Sequence, residues 1–154
     1  MANLISIATA VPDHRISQAD ILAILAKARG AALPSRLEQI LSNSGIDHRH
    51  LACEPEFYLH PRNWRDRALT YEVVGTKLAH QVAAEALENA TLVPAEIDAI
   101  VMVSTTGTMT PSIPSQMLAS MGFDPSTQTI PVFGYGCAGG VLGLRLANDL
   151  AAAH

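Results

Sequence analysis

A chain of 154 residues with 49% hydrophobic and 16% charged residues carries enough apolar material for one domain-sized core. It is short of the charge that a free-standing soluble domain displays, about 25%, which points to surface hidden against a partner. A net charge of -4 and an isoelectric point near 5.8 argue against a nucleic-acid binder, and no stretch approaches the roughly 20 consecutive apolar residues of a membrane span.

In chain order, residues 3–12, NLISIATAVP, are β-branched and apolar and stop at a proline, which predicts a strand. The start of the chain has no basic segment ahead of an apolar one, so no secretion signal is expected. SQADILAILAKARG follows, with Ser17 as a candidate cap, Asp20 in the first turn and Gly30 as the stop; this predicts a helix. SRLEQILSNSG repeats the pattern through Ser35, Glu38 and Gly45. Residues 46–66 hold charges, prolines and aromatics and read as an irregular connection. The spacing of Val74, Leu78 and Val82, extended by Leu87, predicts a long helix over 70–90. IDAIVMVSTTG is a continuous apolar run of the kind found in buried parallel strands. IPSQMLASMG predicts a short helix, TQTIPVFG a strand, and Cys137–His154 a helix with Leu142, Leu146 and Leu150 on one face. This alternation predicts an α/β fold with a mostly parallel sheet flanked by helices.

The chemistry concentrates in GYGCAGGVLG, residues 134–143. Ligands of such sheets bind beyond the carboxyl ends of the strands, where Cys137 stands between a strand and a helix. A helix amino terminus favours thiolate over thiol. Gly134 and Gly136 permit a tight turn with positive φ, and Gly139 and Gly140 remove side chains that would block a substrate. The Cys137 N–H is also a candidate oxyanion donor. A small buried cysteine among packing glycines is the plainer reading of the same residues. A third reading takes Gly134, Gly136 and Gly139 as the GxGxxG of a nucleotide-binding domain. That motif requires an acidic residue about 20 positions further on, at a strand end, and Asp149 is too near and on the helix.

The stretch STTGTMTPS, residues 104–112, ends the preceding strand. Together with SIATAVPDHRISQADI, SGIDHRHLA and PVFGYGCAGGVLGLRLANDLAAAH it closely resembles type III polyketide synthases, the chalcone-synthase-like branch of the thiolase fold. The resemblance implies a thiolase-like fold, present here as part of an amino-terminal half. It implies an acyltransferase that loads an acyl group from acyl-CoA onto a cysteine, decarboxylates malonyl-CoA and condenses the carbanion with the acyl chain. Coenzyme A thioesters are then substrates, and no cofactor is required. By the resemblance Cys137 is the nucleophile, Thr105 and Thr106 line the acyl or cyclisation pocket with Gly136 and Gly139 beside it, and Thr110 reaches toward the partner subunit of a homodimer. A threonine-rich strand end also serves simply to satisfy backbone groups.

The family's catalytic histidine and asparagine come from a carboxyl-terminal half, so the isolated chain is expected to be inactive and to need a complementary carboxyl-terminal chain. His14, His48, His50, His60, His80 and His154 match no such motif and read as surface histidines. HRH at 48–50 lacks the further ligands of a metal site. The family binds coenzyme A phosphates with basic residues on one helix; Arg36 matches one position, while Gln39 and Asn43 occupy others, which weakens the electrostatic hold. A non-catalytic interaction fragment is the alternative expectation for the chain by itself. Cys53 and Cys137 form no CxxC pair and read as free thiols in a reducing, cytoplasmic setting.

Overall fold

The computed structural model describes residues 2–153. They fall into two units: Val11–Thr70, and a larger one made of the residues before Val11 together with those from Tyr71 onward.

The smaller unit is built on a polar strand pair. β1 (His14–Ser17) runs antiparallel to β2 (His48–Leu51), with His14 opposite Leu51 and Ser17 opposite His48. Charged residues hid β2 from a reading based on apolar runs, so residues 46–66 are more regular than expected. They also contain α3 (Pro55–Leu59) and the start of α4 (Trp64–Thr70). α1 (Gln18–Arg29) starts as its sequence indicates, the Ser17 hydroxyl accepting from the Asp20 N–H at 3.1 Å. It ends at Gly30, whose φ of 66° is the left-handed value that suits glycine. α2 (Ser35–Ser42) departs from expectation: Pro34 holds the cap position, Ser35 is already helical and Asn43 closes the helix. Gln18 ties these pieces together, its side-chain amide donating to Leu41 O at 2.8 Å and accepting from Arg49 Nε at 2.9 Å.

The larger unit holds the parallel sheet. Its helical entry is a π-turn at Tyr71–Gly75 that passes into α5 (Thr76–Ala90), so the helix predicted over 70–90 is wound differently in its first turn. β3 (Ala99–Ser104) and β4 (Gln128–Phe133) pair in parallel, Ala99 opposite Gln128 and Ser104 opposite Phe133. α6 (Ile113–Met121) crosses between them, capped by Ser112 and stopped at Gly122 with φ 76°. α7 (Gly139–Ala153) follows β4 through a 3-10 turn at Gly136–Ala138. Leu142, Leu146 and Leu150 share its half-buried face, as their spacing predicts. The expectation for His154 lies outside the described residues.

Helices thus lie against both faces of β3. Ile113, Met117 and Phe123 are the buried centre on the α5–α6 side, with Ile100 and Met102 packed on them. On the opposite face α7 approaches β3 closely. A Cβ at Gly139 would fall 2.6 Å from Val103 Cγ1, and one at Gly143 would fall 2.7 Å from Val103 Cγ2. Two glycines four apart therefore present bare backbone to one valine.

Residues 3–12 are not a hydrogen-bonded strand. They alternate in exposure like one, and Ser6 anchors them by donating to Ala86 O at 2.7 Å. Yet the stretch up to Ala10 stands off from the free edge of β3. Apolar clefts of about 590 and 580 Å³ lie between, one toward α7 and one toward α5. Five hydrophobic side chains among the described residues form the buried core, while Leu4, Ile7, Val141 and Leu144 are each at least 70% exposed. So apolar a chain with so small a core carries faces built to be covered.

Candidate active site

Parallel pairing decides where the candidate residues meet. Ser104 and Phe133 are register partners, and both strands end there. Thr105 and Thr106 follow directly from β3; Gly134, Tyr135, Gly136 and Cys137 follow from β4. The threonine pair and the cysteine turn therefore emerge side by side at the carboxyl edge, the place where such sheets bind ligands.

The turn that carries Cys137 is made possible by its glycines. Gly134 has φ 91° and Gly136 φ 52°, both in the region that side chains with a Cβ disfavour. This double reversal lifts Cys137 out of line with β4 and leaves it an exposed, free thiol. The turn's own hydrogen bonds run from Ala138 N–H to Tyr135 O and from Gly139 N–H to Gly136 O. The Cys137 N–H is outside that pair, which suits an oxyanion donor. Gly139 is buried against Val103, where its lack of a side chain lets α7 sit close to the sheet.

The threonine segment is held by neighbours that sequence reading did not single out. The Ser104 hydroxyl donates to Gly107 O at 2.7 Å, clipping the bend between them. A serine three residues ahead of a glycine is the available signal for such a turn. Thr105, Thr106 and Thr110 are exposed, the last preceding Pro111 and the α6 cap. Arg36 is exposed on α2 and belongs to the smaller unit.

The histidines have local roles. His14 Nδ1 lies 3.2 Å from Glu54 Oε1, and His50 Nδ1 2.8 Å from Pro12 O. His80 bridges α5 and α6, Nδ1 at 2.8 Å from Thr76 O and Nε2 at 2.7 Å from Ser120 Oγ. Both ring nitrogens of His80 thus have a hydrogen-bond partner, one on each helix. Among the described residues no three His, Cys, Asp or Glu side chains gather as a metal site, and no helix is long and apolar enough to cross a membrane. Asp149, the first acidic residue after the glycine motif, sits on α7 with Arg145 Nε 3.7 Å away, not at a strand end.

The family model of the chalcone and stilbene synthases, N-terminal domain, matches residues 1–154. A 1,3,6,8-tetrahydroxynaphthalene synthase of Streptomyces griseus is 36% identical over 156 residues, taking in 100% of this chain and 42% of the relative. A phloroglucinol synthase of Pseudomonas fluorescens is 26% identical across 91% of this chain and 40% of its own length. The crystal structure of 1,3,6,8-tetrahydroxynaphthalene synthase from Streptomyces coelicolor, a bacterial type III polyketide synthase, superposes with a TM-score of 0.86 at 29% identity, covering 99% of this chain and 44% of that one. A fungal type III polyketide synthase at 23% identity shares the fold, with a TM-score of 0.83. The chain thus spans about two fifths of the length of the relatives it matches, and the fold is thiolase-like.

Proposed function

Since the chain belongs to the chalcone and stilbene synthases, matching their amino-terminal domain along its whole length, we propose that it supplies the nucleophile-bearing part of a type III polyketide synthase. Cys137 Sγ, as thiolate, attacks the carbonyl carbon of an acyl-CoA. Coenzyme A leaves as its thiolate and the acyl group stays on sulfur. Malonyl-CoA then loses carbon dioxide, and its carbanion attacks that acyl carbon, forming the new C–C bond and freeing Cys137. The negative charge developing on the acyl oxygen is met by the Cys137 N–H.

Thr105 and Thr106 line the acyl pocket, with Gly136 and the Gly139-seated helix start framing the sulfur. Arg36 contributes to holding the coenzyme A phosphates, and Thr110 faces the second subunit of a homodimer. The general base and the second oxyanion donor lie in a carboxyl-terminal part that completes the site. Two free cysteines accord with a reducing, cytoplasmic setting. The observation that carries the reading is the Ser104–Phe133 register, which delivers threonine pair and cysteine to one edge.

The test is the intact mass of the pure chain after incubation with a medium-chain acyl-CoA, beside Cys137→Ala. An adduct present in the chain and lost in the variant is expected; no adduct on a thiol that still alkylates refutes the nucleophile. The isolated chain is expected to show no malonyl-CoA decarboxylation, and measurable carbon dioxide release would overturn that part. The exposed Val141 and Leu144 on α7 and Phe133 at the site edge favour a second reading, a non-catalytic module that binds through these faces. Acyl transfer to Cys137 separates the two.

A further inference from the structure

The threonine pair is positioned from beneath by an aromatic ring. Tyr71 opens the π-turn, a widened helical turn of a kind that recurs at functional sites. Its ring is laid against the backbone of Gly107: a Cβ there would overlap Tyr71 Cγ and sit 2.6 Å from Cδ1. Gly75 also lies against the ring: a Cβ there would lie 3.6 Å from Tyr71 Cε2 and 3.1 Å from Ile113 Cδ1. Two glycines thus touch one ring, and the ring rests on the buried cluster of Ile113, Met117 and Phe123.

Gly107 is also where the Ser104 hydroxyl bonds. The loop of Thr105 and Thr106 is therefore fixed at one end by β3 and at the other by the Ser104 clip and the Tyr71 ring. The threonine side chains themselves are exposed, so the support beneath Gly107 governs how far they stand from the cysteine turn. No other residue than glycine fits at 107 while the ring stays, and the ring's place is given by the π-turn.

We propose that Tyr71 is a positioning residue that sets the depth of the acyl pocket beside Cys137, and so determines which acyl lengths the cysteine accepts. This rests on the function proposed above. A flat ring stacked on a bare peptide is a contact that phenylalanine reproduces and leucine does not, because leucine's branched end cannot lie flat against Gly107.

The experiment compares the full chain with Tyr71→Phe and Tyr71→Leu, the latter keeping apolar bulk so that the core stays filled. Amide hydrogen exchange of residues 105–110 reports the loop. The ratio of Cys137 acylation rates with hexanoyl-CoA and acetyl-CoA, read by intact mass, reports the pocket. Iodoacetamide alkylation of Cys137 and exchange in α7 report whether the rest is intact. Tyr71→Phe should match the parent in every readout. Tyr71→Leu should raise loop exchange by about tenfold, as local opening without global unfolding does. It should also move the acyl ratio by about threefold or more, a part of the about 10–200-fold by which an apolar pocket discriminates one methylene, with alkylation and α7 exchange unchanged. Loop exchange in Tyr71→Leu equal to the parent, or a loosened loop with an unmoved acyl ratio, overturns the proposal. A parent chain that takes no acyl group from either thioester refutes the function proposed above and the selectivity role with it. The exchange comparison then still decides whether Tyr71 holds the loop.

Discussion

Adding one methyl group to α7 should have opposite effects at two glycines three residues apart. At Gly140, in the first turn of α7, a Cβ meets nothing within 4 Å, so Gly140→Ala gains only part of the helix-interior preference for alanine and stabilises by about 0.5 kcal/mol. At Gly143 the same Cβ would lie 2.7 Å from Val103 Cγ2, short of the ~3.5–4.0 Å optimum for carbon pairs. Valine cannot yield freely, because its two γ-carbons face Gly139 and Gly143 together and χ1 rotation only trades one contact for the other. The overpacking cost is about 1–3 kcal/mol, offset by about 1 kcal/mol of helix propensity. A net loss of about 1 kcal/mol for Gly143→Ala follows, separating the two variants by about 1.5 kcal/mol. With a urea slope of about 1–3 kcal/mol per molar, the unfolding midpoints should differ by about 0.5–1.5 M. Val103→Ala added to Gly143→Ala should recover part of the loss, a coupling that distant sites would not show. A Gly143→Ala midpoint at or above that of Gly140→Ala would refute the close-approach argument. With it would go the account of how α7 is seated behind Cys137.

Two other outcomes follow from the same structure. Ile113 is 1% exposed at the centre of the α5–α6 core, so Ile113→Ala should cost about 2–5 kcal/mol in denaturant unfolding; a loss well below that range would show that the site collapses around the smaller side chain. The Asp124 carboxylate accepts from the Ser126 O–H at 2.6 Å and N–H at 2.8 Å, which holds its pKa below the ordinary value. A folded pKa below the unfolded one stabilises above the unfolded value, and that contribution is lost as pH falls through the folded pKa. Ser126→Ala should raise the Asp124 pKa in an NMR titration and flatten the acid limb of the stability profile; an unmoved pKa contradicts the assignment.

Local chemistry carried most of the large elements into the sequence. Ser17, Asp20 and Gly30 mark both ends of α1, because caps act within one turn and need no distant partner. Gly134 and Gly136 announced the turn at Cys137 for the same reason, since positive φ is a property of single residues. The polar β2 was hidden, its register with β1 resting on pairing rather than on apolar content. Residues 3–12 erred the other way. Their composition is that of a strand, but a strand is made by its hydrogen-bonded neighbour, and the free edge of β3 stands apart from them.

For the site, the sequence alone pointed to the candidate residues: a glycine-framed cysteine and a threonine-rich strand end, in a pattern that resembles one family. Only the tertiary structure decided that they meet. Parallel pairing sets Ser104 opposite Phe133, Val103 admits α7 through two glycines, and Tyr71 lies under Gly107 across an interval of 36 residues. Conformational preference is written residue by residue, whereas proximity between distant residues arises only when burial of apolar surface selects one packing among many.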